Sequence, residues 1–212
     1  MIKNSVSDRN WILSKFDENK VKKATQELGV SEVLCRLLAI RNVEADQSLD
    51  FLNPKIKNSM PNPFLLKSMD EAVKLIIKHI KEGSRICIYG DYDVDGASST
   101  SILARFLRNF TNNFFIFIPD RIKDGYGPNL KIFEDIASKG VKLIITVDCG
   151  TTSFEPIEYA KSKNIDVVVI DHHQSTETLP IANAIVNPNR FDETSNLTYL
   201  CAAGVAFLVL SG

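Results

Sequence analysis

The clearest pattern in the sequence is a series of short, apolar, β-branched runs that alternate with segments of helical period. Strands are predicted at 86–89, 114–118, 143–147 and 166–170, with a shorter candidate at 184–186. Helices are predicted between them at 69–82, 97–110, 130–139 and 154–163, and a last one at 202–210. Strands that are apolar on both faces are typical of a parallel sheet covered by helices on each side. The pattern therefore predicts an α/β domain with a doubly wound, mostly parallel sheet.

A short helical region precedes this domain. Residues 17–52 have the spacing of short helices, with Gly29 as a predicted stop and Ser31 as a predicted cap. Three prolines between residues 53 and 63 predict a connecting segment without regular structure. We therefore predict a helical lead-in and linker over 1–67 and the main domain over 68–212.

Composition excludes some classes of protein and leaves others open. The 212 residues contain 25 lysines and arginines against 26 aspartates and glutamates, so a nucleic acid would have to meet local basic patches. The four cysteines are widely separated, which argues against a zinc knuckle or a disulfide framework and favours a reducing compartment. The amino terminus has no apolar core of signal-peptide length, and nowhere do 18 apolar residues run together. These features predict a cytoplasmic protein.

Acidic residues and histidines follow three of the predicted strands. Asp91, Asp93 and Asp95 come after the first, Asp148 follows the strand at 143–147, and Asp171-His172-His173 follows the strand at 166–170. The carboxyl ends of parallel strands meet at one edge of a sheet, so these side chains should lie together. A single aspartate after a strand is usually a helix cap or a turn residue, but the whole set is hard to explain that way. Carboxylates with one or two imidazoles favour Mn²⁺ or Mg²⁺ over a structural zinc.

The same segments resemble the motifs of a known superfamily. Asp93-Val94-Asp95-Gly96, Val147-Asp148-Cys149-Gly150 and Asp171-His172-His173 are similar, in that order, to motifs of the DHH phosphoesterase superfamily. Within it, the extended run from Gly90 to Gly96 resembles the branch of 5′ to 3′ exonucleases that are specific for single-stranded DNA and act in recombination and repair. So do the runs at 124–127, 187–190, 203–207 and 51–54, and the likeness covers nearly the whole chain.

The resemblance implies a phosphodiester hydrolase with two Mn²⁺ or Mg²⁺ ions. The implied metal ligands are Asp93, Asp95, Asp148 and His172, with Asp148 as the bridge. His173 would meet the phosphate or the leaving group, and Asp171 would orient the histidines. Asp91 would either assist a metal through water or cap the turn.

Substrate contacts are predicted outside the acidic motifs. Arg121, the turn with Gly125 and Tyr126, and Arg190 are candidates to hold a phosphate or stack a base of single-stranded DNA. An ordinary glycine turn with solvated charges is the alternative for the first group. The resemblance also implies partners such as a single-strand-binding protein or a helicase. His79, within a predicted amphipathic helix, is interpreted as structural.

The chain departs from the superfamily pattern in two ways. Many members have a histidine four residues before Asp93, where this chain has Tyr89. The branch also implies a further metal aspartate and a second domain downstream, and we expect the chain to be an amino-terminal portion with weak activity or none. Two other functions stay open: a phosphodiesterase of short oligonucleotides or cyclic dinucleotides, and a catalytically silent module that binds single strands or a replication partner.

Overall fold

The computed structural model describes residue 9 and residues 12–212. The first residues of the chain, on which the argument against a signal peptide depends, lie almost wholly outside this range. The chain divides into two compact units, Met1–Pro61 and Asn62–Gly212. The predicted domain boundary between residues 67 and 68 stays a prediction.

The first unit is helical. Its elements are α1 (Glu18–Leu28), α2 (Glu32–Ile40), α3 (Ala45–Leu52) and α4 (Ile56–Ser59). The predicted cap and stop are present: the Ser31 side chain accepts a hydrogen bond from the Leu34 backbone, and Gly29 adopts a left-handed φ of 63°. The prediction that residues 53–63 contain no regular element is wrong, because the single-turn helix α4 lies within this segment. Pro54 precedes α4 and Pro61 follows it, so neither ring interferes with its hydrogen bonds.

The second unit alternates helices and strands. Its strands are β1 (Ile86–Gly90), β2 (Phe114–Phe117), β3 (Leu143–Val147), β4 (Asp166–Ile170) and β5 (Ala184–Val186). Its α-helices are α5 (Met69–Lys81), α6 (Val94–Leu107), α7 (Leu130–Ser138), α8 (Phe154–Ser162) and α9 (Ala202–Ser211), preceded by a 3-10 turn at Pro63–Leu65. In the part of the chain that is described, no helix is long and apolar enough to cross a membrane.

The five strands form one sheet in the order β2-β1-β3-β4-β5, and every pairing is parallel. Alternate side chains of each strand enter two separate cores. One core lies under α5, α6 and α9, and the other lies under α7 and α8. This arrangement confirms the predicted doubly wound α/β fold. The strand order reverses between β1 and β3, and such a switch point is where ligands bind in open α/β sheets.

Candidate metal centre

The hydrogen-bond ladder of the parallel sheet continues for one residue beyond the carboxyl ends of β1, β3 and β4. The backbone N–H groups of Asp91, Asp148 and Asp171 donate to the carbonyls of Val147, Ile170 and Val186 at 3.3, 2.9 and 3.1 Å. The register therefore places three aspartates in one row, with Asn187 beyond them. The strand ends hold them in fixed positions because each backbone is part of the sheet.

The turn after β1 separates the roles of its aspartates. Asp93 caps α6, since its Oδ1 accepts from the backbone N–H groups of Asp95 and Gly96, each at 2.9 Å. The Gly96 bond is the main reason that the pKa of Asp93 lies below its usual value. The cap also starts α6 at Val94, three residues before the predicted start. Asp91 is only 3% exposed, caps no helix, and has a pKa raised by burial.

Gly96 allows this turn to close. A Cβ at this position would lie 2.5 Å from the carbonyl oxygen of Asp91. Real Cβ contacts are longer than that, and the obstruction is backbone, which cannot rotate away. The glycine therefore brings the Asp91 backbone against the first turn of α6.

Asp148 is the centre of the cluster. It is 1% exposed and has a φ of 61°, in the left-handed region that aspartate adopts more readily than most residues. Burial raises its pKa, and the charges of Asp95 and Asp93 raise it further, to about 8. Oδ1 of Asp148 and Oδ1 of Asp91 are buried and accept no hydrogen bond from the described residues. Buried carboxylate oxygens that accept no hydrogen bond and lie close to other carboxylates favour a bound cation.

Both histidines approach the same oxygen of Asp148, Oδ1. Nε2 of His172 is 3.3 Å from Oδ1 of Asp148 and 3.5 Å from Oδ2 of Asp95. Nδ1 of His173 is 2.8 Å from Oδ1 of Asp171 and 3.9 Å from Asp148. Bonding to Asp171 raises the pKa of His173. Burial opposes ionisation of Asp171, but hydrogen bonds from His173 and Thr151 outweigh it and lower the pKa of Asp171 to about 2.

The loop of the histidines is held by residues to which the sequence assigned no role. Nδ2 of Asn187 donates to Oγ1 of Thr151 at 2.8 Å and to the carbonyl of His173 at 2.9 Å. Asn189 donates to the carbonyl of His172. The only sequence signal for these asparagines is the motif at 187–190, which does not state what they contact.

Asp95 connects the cluster to α9. Its Oδ2 accepts from the backbone N–H of Ala202 at 2.8 Å, and its Oδ1 accepts from Ala203 at 2.9 Å. Cys201, the residue before α9, makes no capping hydrogen bond with its side chain. The cap is supplied by Asp95, more than 100 positions earlier in the chain.

Of the four predicted substrate contacts, Tyr126 lies beside His173, Gly125 precedes it in the chain, and Arg121 is connected to it through the Tyr92 ring. The Arg121 guanidinium is 5.5 Å from the centre of the Tyr92 ring, and Tyr92 meets Tyr126 edge to face at 6.4 Å. Oη of Tyr126 is 3.3 Å from Nε2 of His173. Gly125 has a φ of 80°, which turns the chain next to Tyr126.

Arg190 is engaged elsewhere. Its guanidinium donates to the Ser68 hydroxyl at 3.1 Å and to the Ile185 carbonyl at 2.7 Å, and it pairs twice with Asp192. All three guanidinium nitrogens are used in these bonds, which tie the segment after β5 to the start of α5. The phosphate contact predicted for Arg190 stays a prediction that this arrangement does not support.

Tyr89 and His79 also face away from the cluster. Tyr89 is fully buried, stacks on Phe117 at 5.4 Å and donates to the Gly127 carbonyl at 2.8 Å. His79 is buried, with Nε2 2.9 Å from Asp166 at the opposite end of the sheet. Tyr89, at the position where the superfamily pattern has a histidine, is therefore part of the core.

Two overlapping groups of side chains have the spacing of a metal site. Asp91, Asp93 and Asp148 form one, and Asp148, His172 and His173 form the other; within each group the potential ligand atoms lie within 4.8 Å of one another. Asp148 is common to both. Asp95, 3.5 Å from His172, adjoins the second group. These carboxylate and imidazole donors fit Mn²⁺ or Mg²⁺.

Comparison with known families agrees with this geometry. The family described as "DHH family, N-terminal domain" matches residues 85–211. The chain therefore belongs to the DHH family.

Several of the similar proteins are RecJ exonucleases. The single-stranded-DNA-specific exonuclease RecJ of Bacillus subtilis is 37% identical over 202 residues, which cover 95% of this chain and 26% of that protein. The Escherichia coli RecJ is 36% identical over 179 residues, 84% of this chain and 30% of that protein. The chain thus spans between a quarter and a third of these relatives.

Solved structures show the same likeness. The Thermus thermophilus RecJ in complex with Mn²⁺ superposes with a TM-score of 0.72 and 27% identity, covering 93% of this chain and 27% of that one. A second RecJ structure, bound to manganese, has a TM-score of 0.62 and 34% identity, covering 68% of this chain and 37% of that one.

Proposed function

We propose that this chain carries the metal centre of a metal-dependent phosphodiester hydrolase that degrades single-stranded DNA as an exonuclease, in recombination and repair in the cytoplasm. The observation that carries the proposal is the position of Asp148, a buried carboxylate common to two potential metal groups at the switch point of the sheet. The similarity to RecJ exonucleases supports the choice of substrate.

The residues that would hold the ions are Asp93, Asp95, Asp148 and His172, with Asp148 between the two positions. Asp91 belongs to the first group, and its buried Oδ1, which accepts no hydrogen bond from the described residues, would let it hold an ion directly or through a water. When bound, two such ions acidify a water and polarise the phosphate.

The remaining side chains of the site orient one another and the substrate. Asp171 holds His173 by the bond between Oδ1 and Nδ1, and the raised pKa of His173 favours the protonated ring. A protonated ring beside Asp148 can donate to a phosphate oxygen or to the leaving oxygen. Asp171 is thus a positioning residue: it holds Nδ1 of His173 and leaves Nε2 beside Oη of Tyr126, on the side that we propose for the substrate.

Single-stranded DNA fits the aromatic edge of the site. The side chains of Arg121, Tyr92, Tyr126 and His173 contact one another in that order. The Tyr126 ring is largely exposed to solvent. Bases stack on such rings without regard to sequence, while Arg121 can meet the backbone. A single-strand-binding protein or a helicase as a protein partner stays a prediction from the resemblance alone.

The test is digestion of end-labelled single-stranded DNA with Mn²⁺ or Mg²⁺, together with a direct measurement of Mn²⁺ binding. We expect Asp148→Ala to abolish both, whereas Asp135→Ala, which removes an exposed carboxylate on α7, should change neither. Metal binding equal to the parent in Asp148→Ala would overturn the site.

The substrate range separates the three functions. Preference for long single strands over dinucleotides supports the exonuclease, and the reverse preference supports the phosphodiesterase. Binding of single strands without cleavage, even with Mn²⁺ bound, would identify a silent module. The same assay measures whether these 212 residues alone are weakly active.

A further inference from the structure

The Asp95 carboxylate contacts both the first turn of α9 and His172. Both of its oxygens accept backbone N–H groups from the first turn of α9, and one of them, Oδ2, also lies 3.5 Å from Nε2 of His172. Each carboxylate oxygen has a second lone pair, so the bonds to α9 leave Asp95 able to bind a cation.

The first turn of α9 depends on Asp95. No side chain of its own caps it, since Cys201, the residue before the helix, accepts no capping hydrogen bond. The helix is otherwise held by apolar packing: Ala202, Val205 and Ala206 are buried in the same core as Leu103 and Leu107 of α6. Its position is therefore fixed by α6 on one side and by the Asp95 carboxylate at its end.

We propose that α9 positions Asp95 for the metal, so that docking of the first turn of α9 and binding of the cation are coupled. The inference rests on the proposed function, because it requires a cation at the cluster. Two N–H groups at 2.8 and 2.9 Å fix the plane of the carboxylate and keep Oδ2 directed at His172. Coupling of this kind is reciprocal: a displaced α9 weakens metal binding, and bound metal stabilises the first turn of α9.

The first variant is Ala202→Pro. Ala202 is the first residue of α9, where proline is well tolerated because its missing N–H has no partner within the helix. Cys201 has φ −79° and ψ 169°, an extended conformation that suits a residue before proline. The substitution removes the donor to Oδ2 of Asp95. Ala202→Gly is the matched control, because it keeps the N–H and removes only a methyl group.

We expect Ala202→Pro to weaken Mn²⁺ binding, measured by titration calorimetry, about tenfold relative to Ala202→Gly, because the Asp95 side chain then has to be ordered when the ion binds. Affinities within twofold of each other would overturn the proposal. Failure of the parent itself to bind Mn²⁺ would overturn the proposed function as well, which separates that result from a failure of the coupling alone.

Hydrogen exchange tests the coupling without a change at Ala202, and it decides the matter if the proline variant does not fold. Saturating Mn²⁺ should slow amide exchange in α9 of the parent about threefold or more, with little change in α5, which packs on the same face of the sheet. Asp95→Asn should speed exchange in α9 even without metal. Equal exchange in α9 with and without bound Mn²⁺, or between Asp95→Asn and the parent, would refute the coupling.

Discussion

Replacing Asp148 with asparagine should make the metal-free protein more stable, although it removes a central residue of the proposed site. Asp148 is 1% exposed, and burial together with the charges of Asp95 and Asp93 raises its pKa to about 8. Asparagine has nearly the same shape and no charge. The substitution therefore removes the cost of burying an ionisable group among like charges.

The magnitude follows from the pKa difference between the folded and unfolded states. An unfolded aspartate ionises near 3.8, so at pH 7 the folded protein must take up a proton at Asp148, which costs about 4 kcal/mol of stability before screening. Asp93 is exposed, and solvent screening of its charge lowers the expected gain to about 2 kcal/mol. Because the pKa of Asp148 is higher in the folded than in the unfolded protein, its cost to stability is absent below pH 4 and grows until about pH 8.

The assay is thermal unfolding in EDTA, monitored by circular dichroism, at several pH values between 4 and 8. A gain of about 2 kcal/mol corresponds to a rise of about 4 to 8 °C at pH 7 for a chain of this size. Asp171→Asn is the matched control, since it makes the same chemical change on the neighbouring strand. Its carboxylate has satisfied hydrogen bonds and a pKa of about 2, so this variant should be less stable than the parent.

Added Mn²⁺ should reverse the order of stability. At a hundred times the dissociation constant, a ligand stabilises the protein that binds it by about 2.7 kcal/mol, and Asp148→Asn should gain none of this. The reasoning would be refuted if Asp148→Asn melted below the parent in EDTA at pH 8, or if Mn²⁺ raised both melting temperatures equally.

Three further predictions concern the supports of the site. Gly96→Ala should lower stability by about 1 to 3 kcal/mol in urea unfolding and weaken Mn²⁺ binding, because its Cβ would meet the Asp91 backbone; unchanged binding would contradict this. Asn187→Ala should cost about 1 to 3 kcal/mol in the same assay, because it leaves Thr151 and the His173 carbonyl without their partner. Glu193→Gln should cost about 1 to 2 kcal/mol at pH 7, since Glu193 accepts from the backbones of Lys67, Thr194 and Ser195. Those bonds outweigh burial and lower the pKa of Glu193 below its usual 4.5, so the difference should persist above pH 5 and disappear as the pH falls below 4.

Most of the fold could be predicted because its signals are local. β3, β4 and β5 have the predicted bounds, since each is a short apolar run between polar residues. The start of α6 was predicted three residues late, because Asp93 was interpreted as a ligand and not also as the cap that begins the helix. The short α4 was missed because it is a single turn between two prolines.

The partners of individual side chains were less predictable. The pattern of strand ends predicts that Asp148 and His172 lie together, and they are 3.3 Å apart, because they follow neighbouring parallel strands. Arg190 is predicted from its place after Asn187-Pro188 to contact a phosphate, but its guanidinium pairs with Asp192, two positions away. Nothing in a single sequence distinguishes these two uses of an arginine.

The sequence by itself determined the parallel sheet, the edge at which the aspartates meet and the family to which the chain belongs, since periodicity and short motifs follow from neighbouring residues. Only the tertiary structure decided which oxygens are buried without a partner, that Asn187 holds the loop of the histidines, and that Asp95 caps α9. These contacts join residues far apart in the chain, and their energies depend on distances and burial that exist only after the elements have packed.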